Sequence, residues 1–339
     1  MAQVTVTIIG LGRLGASVGL AIKRIASKEH KFTVVGTDTN AQNLQTAHKM
    51  KAIDVAERHL DTAVQNADLV IIAAAYELIE DIYSAIGEVM RPGAVVIDTS
   101  PLKLPSIAWA QEHFKKDADN RPEVYLVGAV PVVNPAYLED VRNTTESASA
   151  DLFDKGLFIL APAADCPNEA IKLATDFVGL LGVQVRFIDP VEHDGIVAAT
   201  QGLPALLQLA FFRTLYLAPS WDDMRKLTNS QVGLATYLLD QNRAQDLAAL
   251  VYRNKDNVLR TVNALIAQLD ELRDILTKGD ELDLAQVYAD GMSRYVLWRS
   301  ARDKNDWDDM PKAPEFTPTL MGGLLGRRKP KDDATKSRD

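Results

Sequence analysis

Two hydrophobic patterns divide the chain. Up to about residue 188, short apolar runs alternate with stretches of helical period; from about residue 190 to about residue 303 only the helical period remains. Val4–Ile9, Phe32–Asp38, Ala67–Ala74, Ala94–Ile97, Val124–Val130, Gly156–Leu160 and Val183–Ile188 read as strands, with a short segment near Ile53-Asp54-Val55. Between them, apolar residues at helical spacing predict helices after Gly15, over Ala41–Met50, over Glu77–Val89, through Trp109 and Phe114, and over Asn168–Leu181. Ala67–Ala74 is apolar enough to be covered on both faces, and strands alternating with helices predict a mostly parallel, doubly wound sheet. The change of pattern falls at Asp189-Pro190-Val191-Glu192, where an N-cap Asp, a Pro at the first helical position and a Glu at the third make a strong helix start. Beyond it, Leu247, Leu250, Val251, Val258, Val262, Leu265, Leu269, Leu272 and Leu276 form the stripe of one long amphipathic helix. The expected organisation is a nucleotide-type α/β domain over 1–189, an all-α domain over 190–308 and a disordered tail over 309–339, the tail holding the basic run Gly326–Lys331.

Chemistry enters at the first strand. It runs into Gly10-Leu11-Gly12-Arg13-Leu14-Gly15 and then a helix, the opening of a Rossmann-type dinucleotide-binding unit. Gly10 permits a sharp turn, Gly12 lets the backbone approach a pyrophosphate, and Gly15 lets the helix pack on the strand. The free N–H groups of the helix start face the phosphates, and Arg13 either neutralises the pyrophosphate or points to solvent. The second strand ends in Asp38, placed to accept both ribose hydroxyls and to repel a 2′-phosphate; Thr39 and Asn40 offer no cation in its place, which favours NAD over NADP. Ala73, Ala74 and Thr99 close the next strands at the same sheet edge.

Composition narrows the partners. A chain of 339 residues suggests two domains, and Lys plus Arg at 37 against Asp plus Glu at 46 gives a net charge of −9, so nucleic acid is not an expected partner and an anionic substrate requires a local cluster of cations. Cys166 is the one cysteine, which suits a reducing cytoplasm; the direct entry into the first strand shows no signal-peptide pattern. The most apolar stretch, Ile196–Ala218, is interrupted by Gln201, Pro204, Gln208 and Arg213 and reads as a buried helix rather than a membrane span, with Arg213 facing either a structural Asp or Glu or an anionic substrate. An all-α half this apolar is expected to form a homodimer through its helices. The acidic residues show no repeated metal-ligand spacing.

The ordered set of motifs resembles the prephenate/arogenate dehydrogenase family over nearly all of residues 4–303. The glycine turn matches, as do Ala67-Asp68-Leu69-Val70-Ile71-Ile72-Ala73, Pro92–Asp98 followed by Lys103, Glu192-His193-Asp194 with Gln201-Gly202-Leu203, and Asn254–Leu259. The resemblance implies oxidation of a hydroxyl-bearing ring that carries carboxylates: hydride goes to the nicotinamide, the hydroxyl proton to a His, and a ring carboxylate leaves as carbon dioxide. Departures fall where that chemistry sits. The family's serine position holds Pro101, with Ser100 one place earlier as a substitute; the base of the His-Pro motif is Val130 before Pro131; the later His is Ala205. The arginine for a substrate carboxylate falls near Arg225-Lys226. A missing base removes about 10²–10⁴-fold in rate. Of the five histidines, His193 alone lies in the helical half, where the two halves meet, and is either the base or the residue that orders the turn. The candidate set is therefore His193, Ser100 and Lys103 for catalysis, Lys103 orienting a polar atom near the nicotinamide or else lying solvated, with Gln201 and Lys226 for substrate. An NAD-dependent oxidoreductase of this type, with the family's substrate or an altered one, stands against a dinucleotide-binding module that has lost its base and against an imine or ketone reductase.

Overall fold

The computed structural model describes residues 3–25 and 31–304; the tail expected to be disordered lies outside the described residues. The elements run β1 (Gln3–Ile9), α1 (Arg13–Ile25), β2 (Lys31–Thr37), α2 (Ala41–Lys49), β3 (Val55–Ala56), α3 (Leu60–Val64), β4 (Leu69–Ile72), α4 (Ile79–Gly87), β5 (Val95–Asp98), α5 (Lys103–His113), β6 (Tyr125–Val132), β7 (Leu157–Pro162), α6 (Asn168–Leu180) and β8 (Gln184–Phe187). They form one eight-stranded sheet of order β3-β2-β1-β4-β5-β6-β7-β8, parallel except where β7 pairs antiparallel with β6. The order reverses between β1 and β4, so a crevice opens beyond the carboxyl ends of those strands.

Each face of the sheet carries its own apolar cluster. On one, Ile8, Leu11, Ile22, Phe32 and Phe177 pack among α1, α2 and α6; on the other, Ile72, Tyr83, Ile86 and Trp109 pack among α4 and α5 and reach Val197 and Leu250 of the helical half. The central strands β4 and β5 are buried on both faces because they are apolar at consecutive positions, Asp98 at the end of β5 excepted. Close packing of α1 against the turn that follows α2 depends on Gly19, where an added Cβ would run into the Ala52 carbonyl.

The helical half comprises α7 (Pro190–Val197), a π-helical turn over Ala198–Gly202, α8 (Leu203–Tyr216), α9 (Trp221–Leu227), α10 (Ser230–Thr236), α11 (Ala244–Arg253), α12 (Lys255–Lys278) and α13 (Glu281–Lys304). The Asp189 side chain caps α7 as the sequence indicates, accepting from Val191 N–H at 2.8 Å. Two expectations need correction. The leucine stripe is not one helix: Asn254 leaves the helical conformation (φ −118°, ψ 25°) and separates α11 from α12. Its side chain donates to the Asp194 carbonyl at 2.7 Å instead, a partner 60 residues away that no periodicity reveals. Nor is Ile196–Ala218 a buried helix: α8 carries no buried residue, and Leu207, Leu209, Phe211 and Leu217 are exposed. By length and composition alone, the continuous helical stretch Pro190–Tyr216 is long and apolar enough to cross a membrane. Leu259, Ile266, Leu269 and Leu276 of α12 are exposed as well, since the helices of this half have too few neighbours within one chain to cover them.

Gly19→Ala is expected to lower unfolding stability by about 1–3 kcal/mol through overpacking against Ala52, read as a lower midpoint in urea denaturation.

Candidate active site

A cleft of about 700 Å³ lies at the crevice, lined by Gly10, Gly12, Asp38, Ala73 and Ala74 from the sheet edge and by Gln241, Asn242, Arg243 and Asp246 from the helical half. Gly10 has φ +90° and its missing Cβ leaves room for the Ala73–Ala74 backbone, while a Cβ on Gly15 would strike the Gly10 carbonyl. The turn is thus glycine by steric necessity. Gly10 N–H donates to the Thr37 carbonyl at 2.9 Å, joining the ends of β1 and β2. Asp38 is oriented by that turn: its carboxylate accepts from Leu11 N–H at 2.7 Å, Asn40 N–H at 2.7 Å and the Asn43 amide at 3.3 Å. A carboxylate held beside a glycine cradle and a helix N-terminus fits the adenosine and diphosphate parts of a dinucleotide. Leu11 and Leu14 serve packing on the sheet side. Sequence reasoning missed Arg58, which lines this cleft because β3 pairs with β2 beside Gly36, and Asn143, which arrives from a connection without periodicity.

The helical half is tied over the cleft. The Asp246 carboxylate accepts from Glu77 N–H at 2.8 Å, Arg243 pairs with Glu77, and Arg253 pairs with Glu80 at 3.2 Å. The Arg253 guanidinium also lies 4.8 Å from the Trp109 ring centre and 5.2 Å from that of Tyr76.

Below the cleft the residues expected to react are engaged with the protein. Lys103 is neither a solvated lysine nor free for substrate: it is 1% exposed, and its ammonium donates to the carbonyls of Asp98 at 3.1 Å, Ala129 at 2.9 Å and Ser100. These bonds use its donors and pin the end of β5 to the middle of β6, while burial pushes its pKa down. Ser100 is buried too. Its N–H and hydroxyl both reach the Asp98 carboxylate at 2.7 Å, and the Tyr83 hydroxyl donates to the same group at 3.0 Å. Burial, then the Asp98 charge, raises the Tyr83 pKa well above that of an ordinary phenol. Ser100 therefore belongs to the buried frame, and Thr99 likewise bonds back to the Ile72 carbonyl at 2.7 Å. Arg13 is also committed to the protein, with its guanidinium on the Asp140 carboxylate at 3.0 Å.

His193 and Asp194 stand at the domain junction. The Asp194 carboxylate accepts from the N–H groups of Lys103 at 2.8 Å and Leu104 at 3.0 Å, capping α5 from another element. The same carboxylate lies 2.8 Å from His193 Nδ1. Because a carboxylate accepts, Nδ1 carries the proton and Nε2 is left as the acceptor. His193 is 4% exposed and lines neither the main cleft nor a second cavity of about 220 Å³ in the helical half, which Gln201, Ala205 and Gln208 line. Asn242 lines both. Val130, half-buried on β6 opposite Ile159, offers no proton acceptor. Lys226 is exposed on α9, pairs with Asp223 at 3.3 Å and lines neither cavity; Arg213 is exposed rather than buried and bonds the Tyr216 hydroxyl at 3.0 Å instead of an acid.

Lys103→Met is expected to destabilise the fold by about 3–5 kcal/mol, because it strands buried carbonyls. A shift of the urea midpoint checks this.

Two family models match the chain: prephenate dehydrogenase, nucleotide-binding domain, over residues 18–187, and prephenate dehydrogenase, dimerization domain, over residues 189–290. The cyclohexadienyl dehydrogenase of Zymomonas mobilis is 25% identical over 202 residues, 60% of this chain and 64% of that protein, so the chain spans just under two thirds of that relative. The prephenate dehydrogenase of Bacillus subtilis is 22% identical over 303 residues, covering 85% of this chain and 76% of that one. Among solved structures, prephenate dehydrogenase from A. aeolicus in complex with hydroxyphenyl propionate and NAD+ superposes with TM-score 0.73 at 18% identity, covering 88% of this chain and 99% of that one. Synechocystis arogenate dehydrogenase gives 0.66 at 16%, covering 87% and 99%. These likenesses show a shared fold, and with both family models matched in order the chain belongs to the prephenate dehydrogenase family.

Proposed function

We propose that this protein is an NAD-dependent oxidoreductase of the prephenate dehydrogenase type, acting in the cytoplasm on a hydroxyl-bearing ring with carboxylate groups, in the chemistry that leads to tyrosine. The observation that carries the reading is the glycine cradle with Asp38 at one end of a cleft roofed by the helical half. The relatives named above are dehydrogenases of this kind, and one of the solved neighbours holds NAD+. Gly10, Gly12 and the start of α1 would hold the diphosphate and Asp38 the ribose hydroxyls, with Ala73 and Ala74 leaving the floor of the cleft open. A dinucleotide held there would supply a hydride acceptor for oxidation at the carbon that bears the hydroxyl. In this reading His193, buried beside the cleft rather than lining it, is the residue to take the hydroxyl proton at Nε2 once substrate brings that proton within reach, with Asp194 holding the opposite ring nitrogen.

A second reading has its own support. Val130 and Ala205 are apolar where the family is expected to carry histidines, and His193 is buried. Both facts favour a changed substrate, such as an imine or ketone, for which hydride transfer to the substrate asks only for a modest proton donor.

Steady-state assays with NAD and either prephenate or arogenate are expected to yield NADH, with NADP a poorer acceptor because of Asp38, and His193→Asn is expected to lower kcat by about 10²–10⁴-fold. Full activity in His193→Asn would remove His193 from the chemistry, and no NADH from either substrate would favour the second reading.

A homodimer through the helical half accounts for the apolar surfaces of α8 and α12, in keeping with the dimerization domain matched there. Sedimentation equilibrium is expected to give twice the 37.2 kDa chain mass, with Leu269→Asp shifting the protein toward monomer.

A further inference from the structure

The glycine turn contains a cation that is turned away from the cleft. Besides its ion pair with Asp140, Arg13 donates to the carbonyls of Asp140 and of Arg142, the latter at 3.2 Å, and its guanidinium lies 5.2 Å from the centre of the Tyr137 ring. All of these groups belong to residues 134–149, the connection between β6 and β7. The same connection is fastened elsewhere. The Thr145 hydroxyl donates to the Leu11 carbonyl at 2.7 Å, Ser149 N–H donates to Ser17 Oγ at 3.0 Å, and the Tyr137 hydroxyl donates to Asp151 at 2.8 Å. The connection is therefore a strap bolted across the glycine turn. Arg142 first, and Arg13 after it, hold the Asp140 carboxyl well below the usual carboxylate range, so this anchor stays charged through ordinary pH.

What the strap delivers is Asn143. An ideal Cβ on Gly12 would lie 3.4 Å from Asn143 Oδ1 and 3.8 Å from its main-chain carbonyl, and both residues line the cleft. Gly12 is the position whose missing side chain lets a diphosphate approach the backbone. An exposed carboxamide facing that seat brings an NH₂ donor within reach of phosphate oxygens after rotation about its terminal bond. We propose that Asn143 is a cofactor-binding residue whose carboxamide donates to the diphosphate of the dinucleotide, and that Arg13 is a positioning residue that holds the strap in place for it. The assignment rests on the dinucleotide reading of the cleft but not on the identity of the substrate.

The test is equilibrium binding to the full-length protein, with NADH followed by fluorescence and ADP-ribose by competition against it. Failure of the wild-type protein to bind NADH would refute the dinucleotide reading itself, which separates that failure from failure of the Asn143 assignment. With wild-type binding established, Asn143→Ala is expected to weaken NADH and ADP-ribose alike by roughly tenfold, with an unchanged thermal midpoint because the side chain is exposed. Arg13→Met is expected to cause a similar loss, and the double variant to lose little more than Asn143→Ala alone, since the two act as one unit. Should Arg13→Met fail to fold, Asp140→Asn loosens the same anchor from the strap side. Binding by Asn143→Ala within twofold of wild type, or tighter, would overturn the assignment. So would a loss for NADH with none for ADP-ribose, which would move the contact to the nicotinamide side. Fully additive losses would show that Arg13 meets the cofactor itself and overturn its positioning role.

Discussion

One carboxylate holds the two halves of this molecule in register. Asp194 belongs to the first helix of the helical half, yet its oxygens satisfy the first N–H groups of α5, on the sheet side. Leu102, the residue before α5, has no side-chain hydrogen bond to offer that helix start, so without Asp194 those donors would be buried and unpaired. The same carboxylate fixes the imidazole of His193, and the carbonyl of Asp194 receives the side chain of Asn254 from the α11–α12 junction. Sheet, first helix and long helices thus converge on a single residue.

A second buried frame lies beside the first. Asp98 gathers Tyr83 and Ser100 through its side chain, while Lys103 gathers the main chain of Asp98, Ser100 and Ala129. A buried charge needs close partners, and here they are the carbonyl dipoles of Asp98, Ser100 and Ala129 together with the nearby Asp98 charge. The frame fixes the floor beneath the cleft without lending any side chain to it.

How much of this could be read from the sequence follows from how local each determinant is. The strands, the glycine turn and Asp38 are written in contiguous residues, and the Asp189-Pro190 helix start is complete within its own turn. Lys103 could not be placed, because its deciding partner, the Ala129 carbonyl, is 26 residues away on a neighbouring strand. Asn254 reads as one more helical position until Asp194 is seen beside it. Asn143 sits in a connection with neither helical nor strand period, and only the fold brings it to Gly12. The apolar residues of α8 read as buried in sequence, but none of them is buried among the described residues, because apolar composition does not say which surface, if any, lies against a helix.

The lysine frame has a consequence for how such a protein can diverge. Its bonds end on main-chain oxygens, which every residue type possesses, so the frame makes no demand on the side chains at Pro101 or Val130 that border it. Those positions can be exchanged through successive lineages while the scaffold beneath them keeps its shape. A catalytic group can thus vanish, and a new specificity arise, without the molecule ever passing through an unfolded ancestor.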